Sequence, residues 1–207
     1  ANGLAAAATT EAADLLKGWL SGEEVPEGLD IDQGMRWHIV TALARMGQVG
    51  EDEIDAELQR DNTISGSEQA AGARAAMPTA QAKQAAWQRA TTDDSVPNET
   101  YRQLVMQFIQ PDQTEVLSPY VDPYLKLCKA IDSREGQWAK AGHAQVQNAL
   151  MWLFPNTEVI DASWLSKLDG WVSENDLGST VRRVLAERAD SARRTLRCQE
   201  ASRGRDW

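Results

Sequence analysis

The stretch that decides the fold is Ser67–Ala90, SEQAAGARAAMPTAQAKQAAWQRA. Alanine is the best intrinsic helix former, with Gln, Glu, Arg, Lys and Met close behind, and the β-branched residues that favour strands are represented here by Thr79 alone. The spacing predicts two helices, Ser67–Met77 and Thr79–Ala90, divided by Pro78, whose ring cannot continue the helix before it. Ala70, Ala71, Ala73, Ala75 and Ala76 in the first, and Ala80, Ala82, Ala85 and Ala86 in the second, leave little side-chain bulk. Neighbouring backbones can therefore approach closely, and both segments read as layers in a helical array.

The same signals extend in both directions. Towards the N-terminus, a helix is predicted after Thr9 or Thr10, with Glu11 and Asp14 in its opening turns, carrying Leu15, Leu16, Trp19 and Leu20 to a stop at Gly22. Val25-Pro26-Glu27-Gly28 reads as a connector. Met35, Ile39, Leu43 and Met46 then recur at helical spacing and stop at Gly47. Glu51–Gln59 pairs Ile54 with Leu58 and gathers Glu51, Asp52, Glu53 and Asp55 at the end where the helix dipole favours negative charge. Towards the C-terminus, Asn98 is expected to cap a helix bearing Tyr101, Leu104, Val105, Phe108 and Ile109, ended by Pro111. Leu117, Tyr120, Val121, Tyr124, Leu125 and Cys128 continue the pattern, and Pro119 and Pro123 fit either a first turn or a kink. A longer helix is predicted over Arg134–Phe154, carrying Trp138, Ala141, Ala149, Leu150 and Leu153 and ended by Pro155-Asn156. Asp161 is expected to cap a short helix with Trp164, Leu165, Leu168 and Trp171. The last helix presents Leu177, Val181, Val184, Leu185, Ala189, Ala192 and Leu196.

The prediction is an all-α fold of roughly ten helices joined by short loops, which suits an irregular bundle or HEAT-like and armadillo-like stacking. No fixed internal period is present. Helix pairing alone supports an irregular right-handed α-solenoid of stacked antiparallel helix pairs.

Composition narrows the function. Apolar residues make up 42% and charged residues 25% of the 207, an ordinary globular balance. A net charge of −10 repels phosphate backbones, which argues against a nucleic-acid partner. No stretch approaches the roughly 20 apolar residues that span a bilayer, and Ala5–Ala8 lacks the basic flank and apolar core of a signal peptide, so no membrane association is expected. Cys128 and Cys198 form no C-x-x-C pair and read as reduced thiols of a cytoplasmic protein. The chain starts at Ala1 with no initiator methionine, as expected of a piece of a longer protein.

Recognisable catalytic and metal-binding motifs are chiefly absent from the sequence. His38 and His143 are the two histidines, and neither has another histidine four residues on, so there is no H-E-x-x-H zinc helix. His38, between Trp37 and Ile39, and His143, among alanines, are expected to pack or cap rather than to ligate. Asp30-Ile31-Asp32-Gln33-Gly34 matches a calcium loop only in part: its glycine comes one position early, and position twelve is Thr41 where Glu is needed. No phosphate-binding glycine loop, G-x-S-x-G elbow or dinucleotide fingerprint occurs. Glu23-Glu24 and Asp93-Asp94 have no acid/base partner and read as solvated. The expectation is no catalytic residue, no metal ligand and no cofactor site in this chain.

Two features stand out. The eight tryptophans, at positions 19, 37, 87, 138, 152, 164, 171 and 207, are expected to fill gaps between helices. The last helix is basic in an acidic chain, with Arg182, Arg183, Arg188, Arg193, Arg194, Arg197, Arg203 and Arg205. Such a cluster is either a solvated face that neutralises acidic neighbours or an arginine surface that docks the acidic groups of a partner domain or a peptide carboxylate. Arg182, Arg183, Arg193 and Arg194 are the candidate docking residues.

Several stretches carry a family resemblance. They are Gly18-Trp19-Leu20 with Val25-Pro26-Glu27-Gly28-Leu29, Met35-Arg36-Trp37, and Ile54-Asp55-Ala56-Glu57-Leu58 followed by Arg60-Asp61-Asn62-Thr63. Ala73-Arg74-Ala75-Ala76-Met77-Pro78-Thr79-Ala80, Ala82-Lys83, Ala86-Trp87, Gln110-Pro111-Asp112-Gln113 and Leu117-Ser118-Pro119-Tyr120-Val121 add to them. Through these the chain resembles the C-terminal helical domain of actinobacterial aminopeptidase N, a gluzincin metallo-aminopeptidase, of the type shared with the endoplasmic-reticulum aminopeptidases.

The resemblance implies that residues 1–207 are a single C-terminal domain, with looser ends at 1–29 and 198–207, of a zinc enzyme that removes N-terminal residues from peptides. It also implies that the zinc and its ligands lie in a catalytic domain upstream. The helical domain would curve over that catalytic domain, its partner in the same polypeptide, enclose a chamber and admit peptide substrates. The alternative is a free-standing helical scaffold for protein–protein interaction. An upstream reading frame encoding H-E-x-x-H would separate the first from the second.

Overall fold

A computed structural model describes residues 9–203, and every regular element among them is helical. Contacts gather into two compact units: one takes the described residues up to Ala90 with Val96–Gln110, the other Thr91–Ser95 and the chain from Pro111.

The first unit opens with α1 (Thr10–Ser21), where the Thr9 hydroxyl accepts the amide of Ala12 at 3.2 Å, as its N-terminal position predicts. Helix α2 (Gln33–Arg45) is capped by Asp32, which accepts the Met35 amide at 2.8 Å. The chain leaves these helices through Gly22 (φ 85°) and Gly47 (φ 67°), both in the left-handed region that lets the next amides turn back onto the last carbonyls. Helix α3 (Glu51–Arg60) starts with its three acidic residues, and Glu53 also accepts the Gly50 amide at 2.8 Å.

The alanine-rich pair is offset from its predicted bounds. Helix α4 runs Ile64–Ala76, earlier than read, because Thr63 caps it through the Gly66 amide at 3.0 Å. Helix α5 runs Ala80–Thr92, with Thr79 accepting the Ala82 amide at 3.2 Å. Helix α6 is Asn98–Phe108; Pro97 stands at its cap position, so Asn98 is the first helical residue and not the cap.

One core of this unit joins Trp37, Val40, Ile54, Ala70, Ala73, Met77 and Ala82; another joins Ala13, Leu16, Trp19, Ile39 and Leu43. Each large apolar side chain so buried contributes about 1.5–3 kcal/mol relative to exposure. Polar groups tie the layers. Arg36 forks onto Glu57 (2.8 and 2.6 Å) and donates to the Leu20 carbonyl at 3.0 Å, joining α1, α2 and α3. Buried Asp61, in the α3–α4 turn, accepts the Trp37 indole N–H at 2.7 Å. Fully buried Lys83 donates to the carbonyls of Ala75 and Phe108, each at 2.7 Å, and lies 5.4 Å from the Phe108 ring centre.

The second unit holds α7 (Thr114–Leu117), a 3-10 turn at Ser118–Tyr120, and α8 (Val121–Asp132). Pro119 sits in that 3-10 turn and Pro123 in the opening turn of α8, so neither kinks a helix. The single helix expected over Arg134–Phe154 is absent. Helix α8 closes through Arg134 in the left-handed region (φ 56°), with the Glu135 amide returning to the Ala130 carbonyl at 2.9 Å. A 3-10 turn, Gly136–Ala139, follows, and α9 (His143–Trp152) starts only after Gly142. Helix α10 (Ala162–Glu174) is capped by Asp161, which accepts the Trp164 amide at 2.8 Å, and α11 is Ser179–Arg203. Phe154 stands edge-on to both Tyr124 and Trp164, and the Tyr124 hydroxyl donates to the Leu150 carbonyl at 2.7 Å.

Trp19, Trp37 and Trp138 are buried; Trp87, Trp164 and Trp171 are partly covered; Trp152 is exposed; Trp207 lies outside the described residues. Gap filling thus accounts for the three buried ones, and Trp87 and Trp164 also pack against Phe108 and Phe154. Cys128 is a buried free thiol, its pKa raised to about 12 by burial, and Cys198 is an exposed free thiol.

Candidate docking surface

Helix α11 carries the arginine cluster. At 100° per residue, Arg182 and Arg193 fall on one line of the helix and Arg183 and Arg194 on another, each pair roughly 16 Å apart along the axis. All four have intramolecular partners. Arg182 donates to the Leu177 carbonyl at 3.3 Å, and Arg183 pairs with Glu187 at 3.0 Å. Arg193 reaches Asp169 of α10 at 2.5 Å, and Arg194 pairs with Asp190 one turn back. Arg188 turns inward over the Phe154 ring, 5.5 Å from its centre, while Arg197 is exposed. The side chain of Arg203, and Arg205, lie outside the described residues.

These ion pairs are solvent-exposed, and such pairs are worth about 0–1 kcal/mol each. A carboxylate on a docking partner can displace Asp169 or Asp190 at little cost. The arrangement offers guanidinium donors to acidic groups.

His38 and His143 are both exposed, so the packed role expected for them does not hold; His143 is the first residue of α9, with Gly142 at the cap position. They lie in different units, and among the described residues no three His, Cys, Asp or Glu side chains gather at metal-binding distance. A hollow of about 290 Å³ lies between the starts of α9 and α11, lined by Arg134, His143, Ser179 and Thr180, and its Asp132 carboxylate accepts the Gly178 amide at 2.8 Å. No helix among the described residues is long and apolar enough to cross a membrane.

Three polar constellations escaped the sequence reading: the Arg36 fork, the Trp37–Asp61 bond and Lys83. Burial pushes the Lys83 ammonium down from 10.5 to about 7. Asp61 is held below the ordinary carboxylate value chiefly by the Gln33 side chain, then by Thr63 and, with a smaller share, Trp37. A lysine inside an alanine-rich helix carries no sequence signal of burial, because the same pattern serves a solvent-facing stripe.

Two comparisons bear on this assembly of helices. Residues 1–194 match the family described as ERAP1-like C-terminal domain. The chain is also similar to aminopeptidase N of Streptomyces lividans, 36% identical over 197 residues. That alignment covers 95% of this chain and 22% of the relative, so the chain spans about a fifth of that protein's length. The all-helical fold agrees with the match, and with the resemblance carried by stretches such as Met35-Arg36-Trp37 and Ala73–Ala80. The chain belongs to the family of ERAP1-like C-terminal domains.

Proposed function

We propose that this chain is the non-catalytic C-terminal domain of a zinc aminopeptidase that removes N-terminal residues from peptides. The observation that carries this reading is its 36% identity, along nearly its whole length, to a segment of an aminopeptidase N more than four times as long. In this reading residues 1–207 act as one domain whose helices stack into a curved wall beside the catalytic domain of the same polypeptide. The wall encloses the catalytic chamber and admits extended peptides while excluding folded chains by size. Zinc and the residues that hold it belong to the catalytic domain, and the enzyme works in the cytoplasm. The absence of a histidine pair at zinc spacing in this sequence supports that division of labour.

Docking is assigned to Arg182, Arg183, Arg193 and Arg194; the last three exchange their exposed internal carboxylates, and Arg182 its bond to the Leu177 carbonyl, for carboxylates of the catalytic domain. The isolated 207-residue chain is expected to hydrolyse no aminoacyl anilide and to bind no stoichiometric zinc; zinc-dependent turnover by it would refute the proposal. The double charge reversal Arg193→Glu, Arg194→Glu is expected to weaken association with the separately produced catalytic portion, most strongly at low salt. Association unchanged at low ionic strength removes those two arginines from the interface.

A further inference from the structure

A groove of about 630 Å³ opens between α1 and α3, with one stripe of α2 as its floor. Arg36, Val40 and Leu43 recur at helical spacing along that stripe. Half-buried Leu20 of α1 and Val49 of the α2–α3 loop extend the apolar lining beyond buried Val40 and Leu43. Seven positions separate Arg36 from Leu43, roughly 10 Å of helix.

The charges around this floor are unevenly matched. Arg36 is satisfied by Glu57, and Glu53 on the α3 wall accepts the Gly50 amide. Lys17 on the α1 wall donates only to the neutral Gln48 side-chain oxygen, at 2.9 Å, and exposed Arg60 has no carboxylate partner among the described residues. These two cations mark opposite ends of the groove. Arg60 lies one turn beyond Glu57, at the Arg36 end, while Gln48 draws the Lys17 ammonium towards the end where α2 passes into α3. An apolar strip between two cations without counter-charges complements an apolar strip between two carboxylates.

We propose that this groove docks an acidic amphipathic segment of the catalytic portion of the same polypeptide. Its aliphatic side chains cover Leu20 and Val49, and two carboxylates about 10 Å apart take Lys17 and Arg60. The proposal rests on the reading of this chain as one domain of a longer aminopeptidase. The chain matches 22% of the relative's length, and the remainder is ample to supply such a segment.

The Arg36 fork prepares the groove for this occupant. By bonding Glu57 of α3 and the Leu20 carbonyl of α1 it fixes the spacing of the two walls before anything binds, so little ordering is left to oppose association. Its own charge is already matched, which leaves Lys17 and Arg60 to choose the partner. The groove lies wholly in the first unit and the arginines of α11 in the second, so the two surfaces can be tested separately.

Fluorescence anisotropy at low ionic strength tests this on the 207-residue chain. The probe is a fluorescein-labelled, C-amidated octapeptide, Glu-Ala-Ala-Leu-Leu-Ala-Ala-Glu, whose carboxylates stand about 10 Å apart when helical; its twin carries Lys for both Glu. The acidic probe is expected to bind about tenfold more tightly than the twin. Lys17→Gln with Arg60→Gln is expected to weaken it about tenfold, whereas Arg193→Gln with Arg194→Gln, an equal change of charge, leaves it unaltered. The separately produced catalytic portion is expected to displace it. No binding, equal binding of the two probes, equal effects of the two double substitutions, or failure of the catalytic portion to compete would overturn the proposal. Should the Lys17 and Arg60 variant not fold by circular dichroism, the wild-type preference between the probes and the competition decide. Zinc-dependent turnover by the chain alone would sink the domain reading without altering probe binding, so the two failures are distinguishable.

Discussion

Gly66→Ala is expected to destabilise the chain markedly, although the same exchange in a helix usually helps. Gly66 lies in the first turn of α4, over the α3–α4 turn. A Cβ built there would stand 2.1 Å from the Asp61 carbonyl oxygen and 2.8 Å from its carboxylate, and the nearer contact is to backbone that cannot swing aside. Asp61 must shift, and its bond to the Trp37 indole goes with it. Overpacking costs about 1–3 kcal/mol. A buried indole N–H left unpaired costs about 1–3 kcal/mol more. The gain in helix propensity offsets at most about 1 kcal/mol. The net loss is about 3 kcal/mol, or roughly 6–12 °C in Tm for a chain of this length. Thermal unfolding followed by circular dichroism reads it. Gly170→Ala is the control, because its Cβ meets nothing within 4 Å inside α10, and it should raise stability by about 1 kcal/mol. Equal effects of the two substitutions would refute the close-approach reasoning.

Other outcomes follow from the same packing. Arg36→Met removes the fork on Glu57 and the bond to Leu20, leaves a mostly buried carboxylate unpaired and should cost about 3 kcal/mol in urea unfolding; Arg36→Lys should recover part of this. Tyr101→Phe should leave stability unchanged or raise it by up to about 1 kcal/mol, because the buried hydroxyl has no partner to lose. Asp61, with its folded pKa lowered, contributes stability that is fully present above the ordinary carboxylate value of 3.8 and lost as pH falls through the lowered folded value. Asp61→Asn should therefore flatten the acid limb of the stability–pH curve, as followed by tryptophan fluorescence.

Helix starts and stops were largely readable from local chemistry. Thr9 and Asp161 cap as their side chains dictate, Gly22 and Gly47 end helices, and Pro78 divides the alanine-rich pair. The break within Arg134–Phe154 was not readable, because it rests on Arg134 occupying a backbone region usually left to glycine. In the arginine helix, the Arg183–Glu187 and Asp190–Arg194 pairs follow from four-residue spacing, but Arg193–Asp169 needed the packing of α10 against α11. Lys83 was hidden for a different reason: burial of a lysine is decided by the helix ends it meets, and these lie 8 and 25 positions away in the chain.

The Arg36 fork also sets how far the chain can be shortened. A fragment beginning at Asp32 would strip the roof from Ile39 and Leu43, both fully enclosed in the intact unit, and leave one guanidinium nitrogen facing the vacated Leu20 carbonyl. Such a fragment would present an apolar stripe to solvent and self-associate.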